Sequence, residues 1–347
     1  MSDQLITNIY NKLKNFNDPI SNKALNINNS DLNIVCKDGH ANITLTINPK
    51  EEGKYNKLSI SLNNTLKEID GLLSINIVFT AEKNSNTQRE EKKRFQIQAK
   101  NIIAIASGKG GVGKSTFAVN IAVALNKLGN KVGILDADIY GPSVPRMMNI
   151  TDKPKVNENK KLVPLEKYGI KCMSIGFLIG EDTPTIWRGP MIMKALEQMF
   201  NGVEWGELDY LIIDLPPGTG DAQITLAQSS KLSGSIIVST PQDIALIDAR
   251  KAINMFKRVD VPVLGVVENM SYFICSNCNE RHEIFSNGGA KREAEKFQTE
   301  FLGELPIDKN LRINSDKGLP ACIAEPDSQI ANLYIEIAKK VQIISDN

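Results

Sequence analysis

Nine consecutive residues, Gly108-Lys109-Gly110-Gly111-Val112-Gly113-Lys114-Ser115-Thr116, have the composition and spacing of a phosphate-binding loop. Small residues let backbone N–H groups converge on phosphate oxygens, and a helix starting at the loop's end adds its N-terminal dipole. Lys114 is then placed to reach the β- and γ-phosphates of a nucleoside triphosphate, and the Ser115 hydroxyl to ligate Mg²⁺. A lone glycine triplet could be no more than a flexible joint. Here the full G-x-x-x-x-G-K-S spacing lies between an apolar run, Ile102 to Ala106, and a helical pattern, Thr116 to Leu128. Strand, loop and helix in that order are the context the chemistry requires.

Two acidic stretches suit the same chemistry. Leu211-Ile212-Ile213-Asp214 is an apolar strand ending in a carboxylate, and Leu215-Pro216-Pro217-Gly218-Thr219-Gly220-Asp221 continues it as a rigid glycine turn. Asp214 is placed to hold Mg²⁺ through its water shell. Gly218 could offer its N–H to the γ-phosphate, and Asp221 is expected to cap a helix over 222–231. After another apolar strand comes Leu135-Asp136-Ala137-Asp138-Ile139-Tyr140-Gly141-Pro142-Ser143. Asp136 is expected to support this loop or the Mg²⁺ shell, and both aspartates could instead cap turns.

A different chemistry resides in Cys275-Ser276-Asn277-Cys278, followed by His282. Two residues between cysteines let both thiolates face one metal, as in zinc ribbons and iron–sulfur sites. A zinc ribbon needs a second such pair, but Cys36, Cys172 and Cys322 stand alone. A redox pair normally opens a helix after a strand, which this polar loop does not suggest. His282 could be a third ligand or a surface residue. The remaining option is half of a four-thiolate site completed by a symmetry mate.

These groups need a scaffold. From residue 101 strands alternate with helices, with strand candidates at 102–106, 131–135, 171–175, 210–213, 235–239, 262–267 and 301–305. That pattern predicts an α/β fold, a doubly wound and mostly parallel sheet, over 101–347. Ligands bind such sheets at the carboxyl ends of the strands, so the loops above should gather on one edge. Residues 1–82 read as a small α+β domain, with a helical face at Leu5, Ile9, Leu13 and Phe16, strands at 42–47 and 72–79, and a helix at 58–69. Residues 83–100 are highly charged and read as a linker.

Composition narrows the setting. With 41 basic and 40 acidic residues, no net field favours nucleic acid or membrane. No apolar run approaches the roughly 18 residues of a membrane span, and the N-terminus lacks the regions of a secretory signal. Five cysteines in 347 residues suggest reduced thiols, and the expected location is cytoplasmic.

Gly-Lys-Gly-Gly-Val-Gly-Lys-Ser-Thr resembles the deviant phosphate-binding loop of the MinD/ParA class of ATPases. The resemblance implies that Lys109 reaches into a partner subunit's ATP site, making a homodimer, and that Asp138 orients the attacking water. It also implies that Asn269 and Pro306 contact adenine. Adding Asp-Ala-Asp-Ile-Tyr-Gly-Pro-Ser, Trp187-Arg188-Gly189-Pro190, Asp-Leu-Pro-Pro-Gly-Thr-Gly-Asp and the late C-x-x-C, residues 100 to 343 resemble the Mrp/ApbC family. Asp18-Pro19 similarly resembles a pair in that family's small N-terminal domain; the cysteine such domains often carry is replaced by Asn48-Pro49-Lys50-Glu51-Glu52-Gly53. The family implies an ATP-hydrolysing carrier that takes an iron–sulfur cluster, of the [4Fe-4S] kind, from an assembly scaffold to acceptor apoproteins. Cys275 and Cys278 of two chains would bridge it. The rivals are a MinD/ParA-like spatial switch, for which a C-terminal membrane helix within 327–343 would be expected, and a metal-binding scaffold without turnover.

Overall fold

The structure, a computed structural model, describes residues 2–20, 22, 24–25, 32–37, 39–47, 52–81, 97–139, 141–177 and 189–345. It divides into two compact units, Met1–Glu91 and Lys92–Asn347.

The first unit holds α1 (Ser2–Leu13), β1 (Leu32–Lys37), β2 (His40–Ile47), α2 (Glu52–Leu66) and β3 (Ser74–Ala81). β2 is central, antiparallel to β1 and parallel to β3. Its alternate residues Ala41, Ile43, Leu45 and Ile47 are buried with Ile9, Leu13, Tyr55, Leu62 and Leu66, one face of a period-two strand against two helices. Cys36 belongs to that core, as a small hydrophobe. Asp18 accepts hydrogen bonds from the Tyr55 hydroxyl at 2.6 Å and the Ile20 N–H at 3.0 Å, so this side chain is used structurally. β1 has no counterpart among the strands expected from the sequence.

The second unit opens with β4 (Ala99–Ala106), α3 (Lys114–Lys127), β5 (Val132–Asp136), α4 (Val144–Met147), β6 (Leu165–Lys167) and β7 (Ile170–Ser174). It continues through α5 (Gly189–Asn201), β8 (Leu208–Asp214), α6 (Asp221–Ser229), β9 (Gly234–Ser239), α7 (Asp243–Arg258) and β10 (Val263–Glu268). It ends with β11 (Phe273–Ile274), β12 (Arg281–His282), α8 (Gly289–Phe297), β13 (Phe301–Glu304), α9 (Lys309–Asp316), α10 (Ala321–Ala324) and α11 (Gln329–Ser345). Eight strands form one sheet in the order β13-β10-β9-β4-β8-β5-β7-β6. All neighbours are parallel except β6, which pairs antiparallel with β7 at the edge. The turn between them, Tyr168-Gly169, has φ of 52° and 75°, the left-handed pair that a tight hairpin needs. All seven expected strands are present. β4, however, begins at Ala99, inside the stretch read as linker; residues 83–96 of that stretch lie outside the described residues.

α3 is buried almost all round, through Phe117, Ala118, Val119, Ile121, Ala122, Val123, Ala124 and Leu125. α11 covers it, with Tyr334 and Phe117 ring centroids 6.0 Å apart. Each such large apolar side chain contributes roughly 1.5–3 kcal/mol by leaving water. Buried Asn120 is satisfied by donating to Thr116 O at 2.8 Å and accepting from Ala321 N at 2.7 Å. The helical spacing at 327–343 is therefore core spacing: Ile330, Tyr334, Ile337, Ala338 and Val341 are buried against the domain. Among the described residues no helix is long and apolar enough to cross a membrane.

Candidate functional site

β4 is an inner strand flanked by β8 and β9, and its C-terminal end delivers the glycine loop. Gly113 has φ 85°, and a Cβ there would lie 2.2 Å from Asn269 Nδ2. Only glycine allows both that conformation and that approach. A Cβ on Gly108 would lie 2.1 Å from the Asp248 backbone, so the loop's start packs directly on α7. The Ser107 hydroxyl donates to Lys109 O at 2.9 Å, fixing the loop's backbone at its second lysine. Lys109 itself is half-buried, and its side chain has no ion-pair or hydrogen-bond partner among the described residues.

Lys114 is the first residue of α3 and is buried, yet not unpaired. Its Nζ lies 2.5 Å from Asp214 Oδ1, 3.2 Å from Ser115 Oγ and 3.6 Å from Asp138 Oδ2. The parallel register sets Asp136 beside Asp214 on β5 and β8, and brings loops from three strands around one ammonium. Two oxygens, Asp138 Oδ1 and Asp214 Oδ2, are buried without a hydrogen-bond partner. Orphaned carboxylate oxygens beside the Ser115 hydroxyl make an all-oxygen donor set suited to a hard cation such as Mg²⁺. Burial pushes the Asp214 carboxyl above the ordinary carboxylate range, against the pull of Lys114. Asp136 is pushed up to about 7 by burial and by the charge of Asp214. Asp136 supports its loop: it accepts from the N–H groups of Asp138 and Val144, both at 3.2 Å, and from the Ser174 hydroxyl at 3.0 Å.

The expected Asp221 cap needs correction, and two groups named for the nucleotide have partners inside the protein. The Gly218 N–H donates to Ser107 O at 2.9 Å, so in this conformation it is held inside the protein rather than presented to a phosphate. α6 begins at Asp221 with Gly220 in the capping position; the Asp221 side chain lies outside the described residues, as do Trp187 and Arg188. The Asn269 amide, expected on adenine, donates to Val112 O within the glycine loop at 2.8 Å. Pro306 follows buried Leu305 after β13, on the same edge of the sheet.

β10 also delivers the cysteines. Beyond Asn269 the chain forms a small hairpin, β11 against β12, with Cys275 and Cys278 in its turn. Cys275 N–H donates to Glu280 O and Asn279 N–H to Cys275 O, both at 2.9 Å. Cys275 is partly exposed and Cys278 exposed, whereas Cys36, Cys172 and Cys322 are buried. The N–H groups of Cys278 and Asn277 hold the Cys275 thiol below its usual range. Burial does the opposite to Cys172, whose thiol is raised, and to Cys322, pushed up to about 11.

The hairpin is anchored by residues that sequence reasoning missed. Buried Glu268 accepts from the Ser271 hydroxyl at 2.7 Å and from the Gly288 and Ala290 N–H groups at 2.9 and 2.7 Å, capping α8. Glu304, at the end of β13, receives both arms of Arg281 at 3.1 and 3.2 Å and the Asn287 amide at 3.1 Å. The Arg281 guanidinium stacks 3.8 Å from the Tyr272 ring centroid. Against the upward push of partial burial, Arg281 holds the Glu304 carboxyl below its usual range. Glu268 had the same signal as Asp214, an apolar strand ending in a carboxylate. The Arg281–Glu304 pair, 23 residues apart, had none.

Comparison with known proteins identifies the family. Residues 98–342 match the family described as NUBPL iron-transfer P-loop NTPase, of the ParA class. A protein of Arabidopsis thaliana, "Iron-sulfur protein required for NADH dehydrogenase, mitochondrial", is 56% identical over 70% of this chain and 78% of its own. The "Iron-sulfur cluster carrier protein" of Escherichia coli is 50% identical over 79% of this chain and 73% of its own. Among solved structures, a nucleotide-binding protein of Archaeoglobus fulgidus in complex with ADP aligns with TM-score 0.57 and 45% identity, over 64% of this chain and 87% of that one. The cell division ATPase MinD of Pyrococcus furiosus aligns with TM-score 0.54 at 20% identity, over 70% of this chain and 99% of its own, a likeness of fold alone. The chain belongs to the NUBPL iron-transfer family of P-loop NTPases.

Proposed function

We propose that the protein is an ATP-hydrolysing carrier of iron–sulfur clusters that works as a homodimer and passes its cluster to acceptor apoproteins. The observation that carries this reading is the end of β10. Within ten residues it presents Asn269, bonded to the glycine loop, and the hairpin bearing Cys275 and Cys278.

On binding ATP, Lys114 turns from Asp214 to the β- and γ-phosphates, offsetting their charge. Ser115 and Asp214 would hold Mg²⁺, which when bound would supply positive charge beside the phosphates. Asp138 orients the attacking water, and Lys109 enters the partner's site. The γ-phosphate competes with Ser107 O for the Gly218 N–H, so loop 215–220 has one partner before binding and another after. Asn269 keeps Val112 in place and can also meet adenine, with Pro306 beside it. Cys275 and Cys278 from each chain bridge a cluster of the [4Fe-4S] kind, received from an assembly scaffold. Movement at the glycine loop reaches the hairpin through Asn269 and its neighbour Glu268. Free thiols suit a reducing compartment, taken here as the cytoplasm.

Transfer of a reconstituted cluster to an apoprotein, with and without ATP, tests the coupling. ATP should change the transfer rate of the wild type, and Asn269→Ala should lose that response while still binding a cluster. A wild-type rate indifferent to ATP contradicts the coupling.

A further inference from the structure

The hairpin carries a second set of metal donors. Cys278 Sγ, a Glu280 carboxylate oxygen and a His282 ring nitrogen all lie within 4.8 Å of one another, and all three residues are exposed. His282 Nε2 and Glu280 Oε2 are 3.8 Å apart. The placement follows from the backbone. Glu280 and His282 are two residues apart on the approach to and within β12, so they share a side of the strand. Asn279, at φ 59°, turns the chain so that Cys278 reaches the same side.

From these positions we infer that Cys278, Glu280 and His282 of a single chain form a site for a thiophilic divalent metal ion of the zinc class. Thiolate, imidazole and carboxylate are the donors such ions take, at about 2.0–2.3 Å each. Donors around a tetrahedral ion then stand about 3.3–3.8 Å apart, a distance the Glu280–His282 pair already has and exposed side chains reach by rotation. On binding, the Cys278 thiol gives its proton to solvent, while the imidazole binds neutral and the carboxylate ionised. The site differs in kind from the two-cysteine pair. It needs no partner chain, uses one sulfur, and offers an oxygen and a nitrogen that a thiolate-bound cubane does not take.

Cys278 belongs to both donor sets, since it is also the second cysteine of the C-x-x-C pair. One metal ion on a single chain therefore withdraws a thiolate from any site bridging two chains, and the two loads exclude each other. The metal site does not depend on the cluster reading, and stands or falls by itself.

The test is titration of the full chain with Co²⁺, anaerobic and reduced, after chelators have removed bound metal. The expected result is one Co²⁺ per chain on a particle of monomer mass, with the visible bands of tetrahedral cobalt and a sulfur-to-cobalt charge-transfer band, all displaced by Zn²⁺. Glu280→Gln and His282→Ala should each weaken binding at least about tenfold, the lower end of what losing even an outer partner costs. Cys275→Ser should retain one Co²⁺ per chain, and Cys278→Ser should bind none. Thermal unfolding of each variant confirms that the hairpin's surroundings are intact. Absence of Co²⁺ binding by the wild type overturns the proposal. So does wild-type affinity in either Glu280→Gln or His282→Ala, or binding at one Co²⁺ per two chains that requires Cys275.

Discussion

At the glycine loop the charged groups are out of water: Lys114 is 6% exposed, Asp138 8% and Asp214 0%. At the cysteine hairpin, Cys278, Glu280 and His282 are all exposed, and the anchor is an Arg281–Glu304 pair that solvent still reaches. Both regions hang from the carboxyl edge of one sheet, and both are held by residues at the end of β10. The difference is completeness. Burying Asp214 and Lys114 costs several kcal/mol per ion, and their close pairing offsets much of it; Asp138 Oδ1 and Asp214 Oδ2 remain without partners among the described residues. The hairpin leaves its sulfurs facing outward, as a donor set needing a second body would. One region keeps its charged groups buried, and the other holds its donors out to solvent.

Breaking the buried region should have the largest effect. Lys114→Ala removes the only buried cation facing Asp138 and Asp214 among the described residues, and should reduce ATP turnover at least about 100-fold. It should leave iron loading on the hairpin unchanged, which a phosphate-release assay and an iron count read together. If iron loading collapses as well, the two regions are not separable.

A smaller loss is expected at Asp138. Asp138→Ala should lower kcat about 10- to 100-fold with ATP binding retained, since water orientation acts in the transition state. Mixed dimers of a Lys109→Ala chain with an Asp138→Ala chain should recover one working site if Lys109 acts across the interface. Proven mixed dimers without recovery would place Lys109's effect within its own chain.

The contrast among cysteines sharpens the hairpin's side. Cys275, its thiolate stabilised by the Cys278 and Asn277 N–H groups, should alkylate at half its maximal rate below the pH of about 8.5 typical of a free cysteine. The sign follows from the cause: a stabilised thiolate releases its proton at lower pH. Buried Cys172 and Cys322 should react only on unfolding. Mass-mapped alkylation across pH reads all of them at once.

The smallest effect is expected at the hairpin's anchor. Arg281→Ala loses a half-exposed pair with Glu304 and the stacking on Tyr272, worth about 1 kcal/mol or less. Global unfolding should shift by only a few degrees, while proteolysis within 273–282 accelerates. A cooperative loss of the whole domain would mean that the hairpin is part of its core.

Much of this was legible in the sequence because it is local. The phosphate loop, Asp214 and the strands at 102–106 and 210–213 each announce themselves within a few residues. The C-x-x-C was equally plain. The partners of these groups were not, because they arise only when distant strands close. Asn269 was expected on adenine, and its bond to Val112, 157 residues away, arises only when β10 and β4 come together. Glu304 comes to the hairpin through its register with Glu268 rather than through proximity in the chain. β6 was hidden because three residues, two half-buried and one exposed, carry little periodicity. The partner of the Gly218 N–H was hidden because that carbonyl, on Ser107, lies at another strand's end.

The central claim is that two chains together complete a site which one chain half builds. Native mass spectrometry of the anaerobically reconstituted protein reads assembly and cargo in a single spectrum. The account predicts a dimer carrying about four irons and four sulfides, lost when Cys275 and Cys278 are both replaced by alanine. A monomer carrying a full cluster, or a dimer that keeps its iron after both replacements, would contradict it.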